Sequence, residues 1–245
     1  MINNTKEIIS KIKKKKIIIG IVGMGYVGLP LAKSFVKKNI ITYGFDIDRN
    51  KINKLKKGIS YINYFKNNDI KKMNSNGFIP SYDFSKISEV DMIILCLPTP
   101  IKKNKSPEMF YILSSMKTIL PYLKENQTLS LESTTYPGTC EEVLLPFLQK
   151  KFEVGKNFYL VYSPEREDPG NKKYSLTKIP KVIGGLTNSC LLVGKNFYEI
   201  LGIRLITVNN IRTAEFTKLL ENIYRSVNIG LINEMKNICE KLNIN

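Results

Sequence analysis

The sequence predicts a doubly wound α/β domain, a mainly parallel sheet with helices on both faces, followed by one long helix. Three observations carry this. Short strands that are apolar throughout alternate with helical segments, as strands buried on both faces do. The first strand runs into Gly23-Met-Gly-Tyr-Val-Gly28 and directly on into a helix. From Thr213 to Leu242 the pattern is helical, interrupted only by Gly230.

The elements follow in order. Ile8, Ile9 and Ile12 sit at helical spacing among Lys and Glu, so residues 4–14 predict an amphipathic lead-in helix. The β-branched run from Lys16 to Val22 is too short for a helix and reads as a strand, and the helix after the glycine turn runs to about Lys38. A second strand, Ile40 to Phe45, ends at Asp46, and a helix from Lys51 to Lys57 stops at Gly58. A buried strand from Asp91 to Leu97 ends at Pro98-Thr99-Pro100. Helices are expected at 107–123, 139–150 and 187–201, with strands at 127–132, 158–162 and 203–208. The expected division is a lead-in at 1–15, a sheet domain at 16–210 and the long helix at 211–245.

Composition removes whole classes of chemistry. There is no His, so Ser-His-Asp catalysis, Cys-His catalysis and His-ligated zinc are excluded within this chain. The four cysteines (Cys96, Cys140, Cys190, Cys239) are widely spaced with no CxxC pair, which fits reduced thiols in a cytoplasm and no metal site. No run is long and apolar enough for a membrane span, and the N-terminus lacks the apolar core of a signal peptide. Lys and Arg total 38 against 21 Asp and Glu, a formal charge of +17. Almost all of that excess is dispersed Lys; Arg occurs only at Arg49, Arg166, Arg204, Arg212 and Arg225. Diffuse Lys without Arg forks argues against a nucleic-acid reader, although the field attracts small anions such as nucleotides.

The glycine turn is a dinucleotide fingerprint in its proper setting: strand, turn, helix, second strand, acid. Gly23 permits the tight turn, Gly25 lets backbone approach a diphosphate, and Gly28 lets helix and strand pack closely. The diphosphate is expected on N–H groups at the positive helix end, so Gly23, Met24, Gly25, Tyr26, Val27 and Gly28 form the candidate cradle. Asp46 is placed to accept from the adenosine ribose hydroxyls, which favours NAD over NADP; Arg49 and Lys51 stand close by.

Further motifs join the turn. Gly-Tyr-Val-Gly-Leu-Pro (25–30), Leu-Pro-Thr-Pro (97–100), Glu-Ser-Thr-Thr-Tyr-Pro-Gly-Thr (132–139) and Ser-Pro-Glu-Arg-Glu-Asp-Pro-Gly-Asn (163–171) occur in this order. Lys-Val-Ile-Gly-Gly (181–185) and Ala-Glu-Phe-Thr-Lys-Leu-Leu-Glu-Asn-Ile-Tyr-Arg-Ser-Val-Asn-Ile (214–229) complete the set. Together they resemble the UDP-glucose/GDP-mannose dehydrogenase family over essentially the whole chain, most closely its UDP-N-acetyl-D-glucosamine 6-dehydrogenase branch. The resemblance implies two successive NAD⁺-dependent oxidations at C6 of a nucleotide sugar, through a thioester on a catalytic cysteine, in polysaccharide precursor synthesis. UDP-N-acetyl-mannosamine and UDP-glucose are the alternative substrates.

Carried over by motif, Lys218 and Asn222 are implied as oxyanion partners, and their i, i+4 spacing puts them on one helix face. Glu165 is implied as the carboxylate handling water in thioester hydrolysis. Thr134 is implied to position water or cofactor near the nicotinamide, and Thr99 to line the same side of the cleft. The family's thiol lies in a Gly-Gly-x-Cys motif beyond the long helix, followed by a UDP-gripping domain, and this sequence contains neither. The expected partners are therefore a UDP-sugar, a second chain supplying thiol and UDP site, and a second copy through the long helix. The competing expectation is an NAD-binding remnant or regulatory module without oxidation chemistry.

Overall fold

The strand β1 (Ile18–Val22), Ile-Ile-Gly-Ile-Val, is buried along almost its whole length and takes an interior place in the sheet, third of its strands from one edge. In the computed structural model, which describes residues 3–63, 65–165 and 179–244, seven further strands flank it. These are β2 (Ile41–Phe45), β3 (Phe78–Ser81), β4 (Met92–Leu95), β5 (Thr128–Leu131), β6 (Tyr159–Tyr162), β7 (Lys181–Gly185) and β8 (Leu205–Thr207). Their spatial order is β3-β2-β1-β4-β5-β6-β7-β8. The first six are mutually parallel, while β7 runs antiparallel to β6 and parallel to β8. The order reverses between β1 and β4, and the crevice beyond the carboxyl ends of the strands at such a reversal is where sheets of this kind take ligands.

Helices cover both faces. One core gathers Ile8 and Ile12 of α1 (Asn3–Lys13), Leu31 and Phe35 of α2 (Gly28–Val36), Ile52 of α3 (Arg49–Lys56), Ile70 of α4 (Asn67–Ser75) and Phe197 of α7. The other holds Ile112 and Met116 of α5 (Phe110–Ile119), and Leu144 and Leu148 of a π turn running into α6 (Leu145–Leu148). It is closed by Ile211 and Ala214 of α8 (Ile211–Lys241); α7 is Asn188–Glu199. Each fully buried aliphatic or aromatic side chain contributes about 1.5–3 kcal/mol. Helix starts follow the side chains available. Asp48 caps α3 by accepting from the Asn50 and Lys51 N–H groups, Thr187 caps α7, and Asn210 caps α8 by accepting from Thr213.

Two strands were not expected. β3, Phe-Ile-Pro-Ser, carries a proline, which a sheet tolerates at its edge, and β3 is the edge strand beside β2. β7 contains a Lys and ends in Gly-Gly, which reads locally as a turn; its antiparallel pairing with β6 breaks the parallel pattern. The helix α4 was likewise unread. The lead-in helix and the long helix are where expected, and among the described residues no helix is long and apolar enough to cross a membrane.

Only the first turn of α8 is embedded. Ile211, Ala214 and Glu215 are buried, and Ala214 lies where a side chain on Gly184 of β7 would have to stand. Farther along, Leu220, Tyr224, Val227, Leu231, Met235 and Ile238 form an exposed apolar stripe at helical spacing.

Candidate cofactor and catalytic site

The glycine turn has the geometry its sequence demands. Gly23 adopts φ +98°, and a Cβ there would stand 2.3 Å from the Cys96 carbonyl oxygen. A Cβ on Gly28 would lie 1.9 Å from the Gly23 carbonyl oxygen, so the start of α2 can press against the turn only with glycine there. At Gly25 nothing lies within 4 Å of the Cβ position, so the backbone borders open space. These are the tight turn, the close packing and the bare approach that a diphosphate at a helix N-terminus needs. Val27 stands at the N-cap of α2 and Tyr26 is exposed.

Asp46, at the end of β2, is 8% exposed. One carboxylate oxygen accepts from the Met24 N–H at 2.9 Å and the other from the Asp48 N–H at 2.9 Å. Lys51 Nζ lies 3.7 Å away. A carboxylate has about four acceptor positions, so capacity remains for ribose hydroxyls. The residues fit an adenine dinucleotide: Gly23–Gly28 would hold its diphosphate and Asp46 the ribose beside it.

The remaining candidates follow the carboxyl ends of the next strands. Thr99, beyond β4, donates its hydroxyl to the Thr134 carbonyl at 2.7 Å, so the loops after β4 and β5 are tied together. The Leu97 N–H adds a second tie by donating to Ser133 Oγ at 2.9 Å. Thr135, one residue on, is the more buried of the two threonines, with its hydroxyl beside that of Tyr162. Glu165 follows β6, with an oxygen 3.8 Å from Lys181 Nζ. Arg166 through Asn171 of its motif lie outside the described residues. Lys218 and Asn222 lie half-buried on one face of α8, one and two turns past its embedded start.

A model of the UDP-glucose/GDP-mannose dehydrogenase family, NAD binding domain, matches residues 8–202, and the same family's central domain matches residues 212–245. The chain belongs to this family. Its sheet is therefore a nucleotide-sugar dehydrogenase NAD-binding domain. Protein CapL of Staphylococcus aureus is 36% identical over 92% of this chain and 53% of its own length. UDP-N-acetyl-D-glucosamine 6-dehydrogenase of Salmonella typhi is 34% identical, with 92% and 53% covered. The native structure of the UDP-N-acetyl-mannosamine dehydrogenase Cap5O from Staphylococcus aureus superposes with a TM-score of 0.84 at 34% identity, covering 93% of this chain and 56% of that one. The chain spans about half the length of the curated relatives it matches.

Within this family domain, a buried polar cluster went unread in the sequence. Lys181, at the start of β7, places Nζ 2.5 Å from Glu132 Oε2 and donates to the Pro164 carbonyl at 3.2 Å. Tyr198 of α7 donates to Glu132 Oε1 at 2.6 Å, and the Ser130 hydroxyl meets the Tyr198 oxygen at 2.8 Å. Glu132 is 2% exposed and Lys181 4%. Burial pushes the Glu132 carboxyl up to about 7. The two carboxylates around Lys181 outweigh its own burial and push the ammonium up. Glu132 and Lys181 both stand inside the quoted motifs, but nothing in their spacing shows that two charges meet across the sheet.

Glu215 is a second buried acid. It accepts from the Gly138 N–H at 2.5 Å and the Cys140 N–H at 2.8 Å, tying α8 to the start of the π turn, and burial raises its pKa. Arg212 reinforces that joint by pairing with Glu141 and Glu142. Burial also pushes the thiols of Cys96, Cys140 and Cys190 up, the opposite of what a nucleophile needs.

Proposed function

We propose that the chain forms the cofactor-binding half of an NAD-dependent nucleotide-sugar 6-dehydrogenase acting on a UDP-N-acetylhexosamine. The observation that carries this reading is the turn at 23–28, open at Gly25 and bounded by Asp46, beneath the same sheet edge that carries Thr99, Thr134 and Glu165. NAD⁺, when bound, supplies the hydride acceptor for oxidising the C6 alcohol to aldehyde and then to acid. The turn binds the diphosphate, and Asp46 holds the ribose while disfavouring a 2′-phosphate, with Lys51 partly offsetting its charge. Thr99 and Thr134 shape the nicotinamide side of the cleft. On α8, Lys218 and Asn222 offer an ammonium and an amide N–H to the oxygen on which negative charge develops. Glu165 takes the proton of the hydrolytic water.

Burial pushes the thiols of Cys96, Cys140 and Cys190 away from a nucleophile's range, and in this reading a second chain supplies the reactive thiol and the grip on UDP. The exposed stripe on α8 suits pairing with a second copy or with a chain that carries those parts. Relatives named for both the N-acetylglucosamine and N-acetylmannosamine sugars support a UDP-N-acetylhexosamine, the glucosamine form following from the motif wording. Free thiols at all four cysteines fit a cytoplasmic setting.

Calorimetry on the 245-residue chain is the first test. NAD⁺ binds the wild type, and Asp46→Ala weakens it by about tenfold or more, the loss of hydrogen bonds to a charged acceptor. A wild type that ignores NAD⁺ overturns the reading. Mixing with a chain bearing the thiol and UDP site should then yield NADH with UDP-N-acetyl-D-glucosamine or its mannosamine epimer. No NADH with either sugar removes the dehydrogenase half of the proposal.

A further inference from the structure

We propose that Tyr61 is a positioning residue of the cofactor site: by holding the Met24 carbonyl it aims the next backbone N–H, that of Gly25, at the diphosphate. The inference rests on the reading of the turn as an NAD site and adds to it a residue from outside the fingerprint.

Tyr61 lies on the connection between α3 and α4, far from the turn in sequence, and donates its hydroxyl to the Met24 carbonyl at 2.5 Å. Met24 is gripped on two other sides. Its N–H is given to Asp46, and its side chain is fully buried, the sulfur standing where a Cβ on Gly44 would be. A trans peptide is planar, with its C=O and N–H on opposite edges. None of the described peptide bonds is cis, so fixing the Met24 carbonyl toward Tyr61 leaves the Gly25 N–H on the far edge. No acceptor among the described residues takes that N–H, and the Gly25 backbone borders open space.

Glycine makes this peptide easy to flip, because its right- and left-handed conformations are similar in energy. A flipped peptide would turn a carbonyl oxygen toward the phosphates and repel them. The Tyr61 hydroxyl opposes the flip before any ligand arrives. It also stays a donor at any working pH, because burial and the Asp46 and Asp48 carboxylates push its pKa far up.

Tyr61→Phe removes one oxygen and keeps the ring. Three ligands separate positioning from simple loop anchoring: NAD⁺ and ADP-ribose by calorimetry, and adenosine, which lacks phosphate, by NMR titration. NAD⁺ and ADP-ribose are expected to bind about five- to tenfold more weakly, the worth of one neutral hydrogen bond, with adenosine changed by less than about twofold. Equal weakening of all three, or no weakening of any, overturns the role of Tyr61. Wild-type protein that ignores NAD⁺ overturns the reading of the turn and this inference with it. Tight wild-type binding that Tyr61→Phe leaves unchanged removes Tyr61 alone.

Discussion

Two stretches of one sheet edge are built from different materials. The turn past β1 is almost all backbone: three glycines, a helix end and N–H groups, with Asp46 as its main polar side chain. The edge past β5 and β6 is built from buried side chains, with Glu132, Lys181, Tyr198 and Ser130 satisfying one another and Glu165 at their margin. A backbone site carries little buried charge but tolerates no added atoms where chain presses on chain, as at Gly23 and Gly28. A charged site depends on every partner being present.

The largest effect is expected where that dependence is strongest. Lys181→Met leaves Glu132 buried without its ammonium and should cost about 3–5 kcal/mol by chemical denaturation at pH 8. The cost should shrink at pH 5, where the carboxyl takes up a proton. Glu132→Gln with Lys181→Met should recover much of it, and a double-mutant cycle without coupling would dissolve the idea of a charge-built edge. The same carboxyl sets a slope in the wild type. Its folded pKa, about 7, lies above its ordinary value of 4.5, so its contribution is full below about 4.5 and is lost as pH rises through 7. Glu132→Gln should flatten melting temperature across that window.

Next comes Gly28→Ala, which forces a methyl against the Gly23 carbonyl oxygen. The expected cost is about 3 kcal/mol, the upper end of overpacking, with NAD⁺ affinity lost alongside stability. Full stability would show that the turn can relax and that the backbone site is less exacting than drawn. The smallest effect is expected at the joint that mixes both materials, a side chain holding backbone donors. Glu215→Gln keeps the shape but gives up the charge and one of the two accepting oxygens, and should cost about 1–2 kcal/mol in thermal unfolding. A larger loss would move Glu215 into the charge-dependent class.

The same contrast explains what the sequence made legible. Gly23, Gly25 and Gly28 announce themselves because backbone geometry restricts the residue type position by position, and Asp46 follows from the strand that precedes it. The parallel strands show as apolar runs because both faces are buried. β3 stayed hidden because an edge strand may carry Pro80, and β7 because Gly184 and Gly185 are there for close packing rather than a turn. Lys181 and Glu132 are 49 residues apart, and Tyr61 and Met24 are 37 apart. Such pairs leave no local periodicity, so a lone buried lysine reads as an ordinary strand residue and a loop tyrosine as surface. The placement of Lys218 and Asn222 on one face did follow from spacing, whereas the embedding that sets which face points inward lies in Glu215 and Gly184.

That embedding makes α8 behave as a lever with its pivot at one end. About 40 Å of rod extends beyond Glu215 at 1.5 Å per residue, so a tilt of about 5° swings the tip by roughly 3 Å. Lys218 and Asn222 sit within about 10 Å of the pivot and would move by less than about 1 Å in the same swing. Whatever loads the far end of the rod, Lys218 and Asn222 stay nearly still.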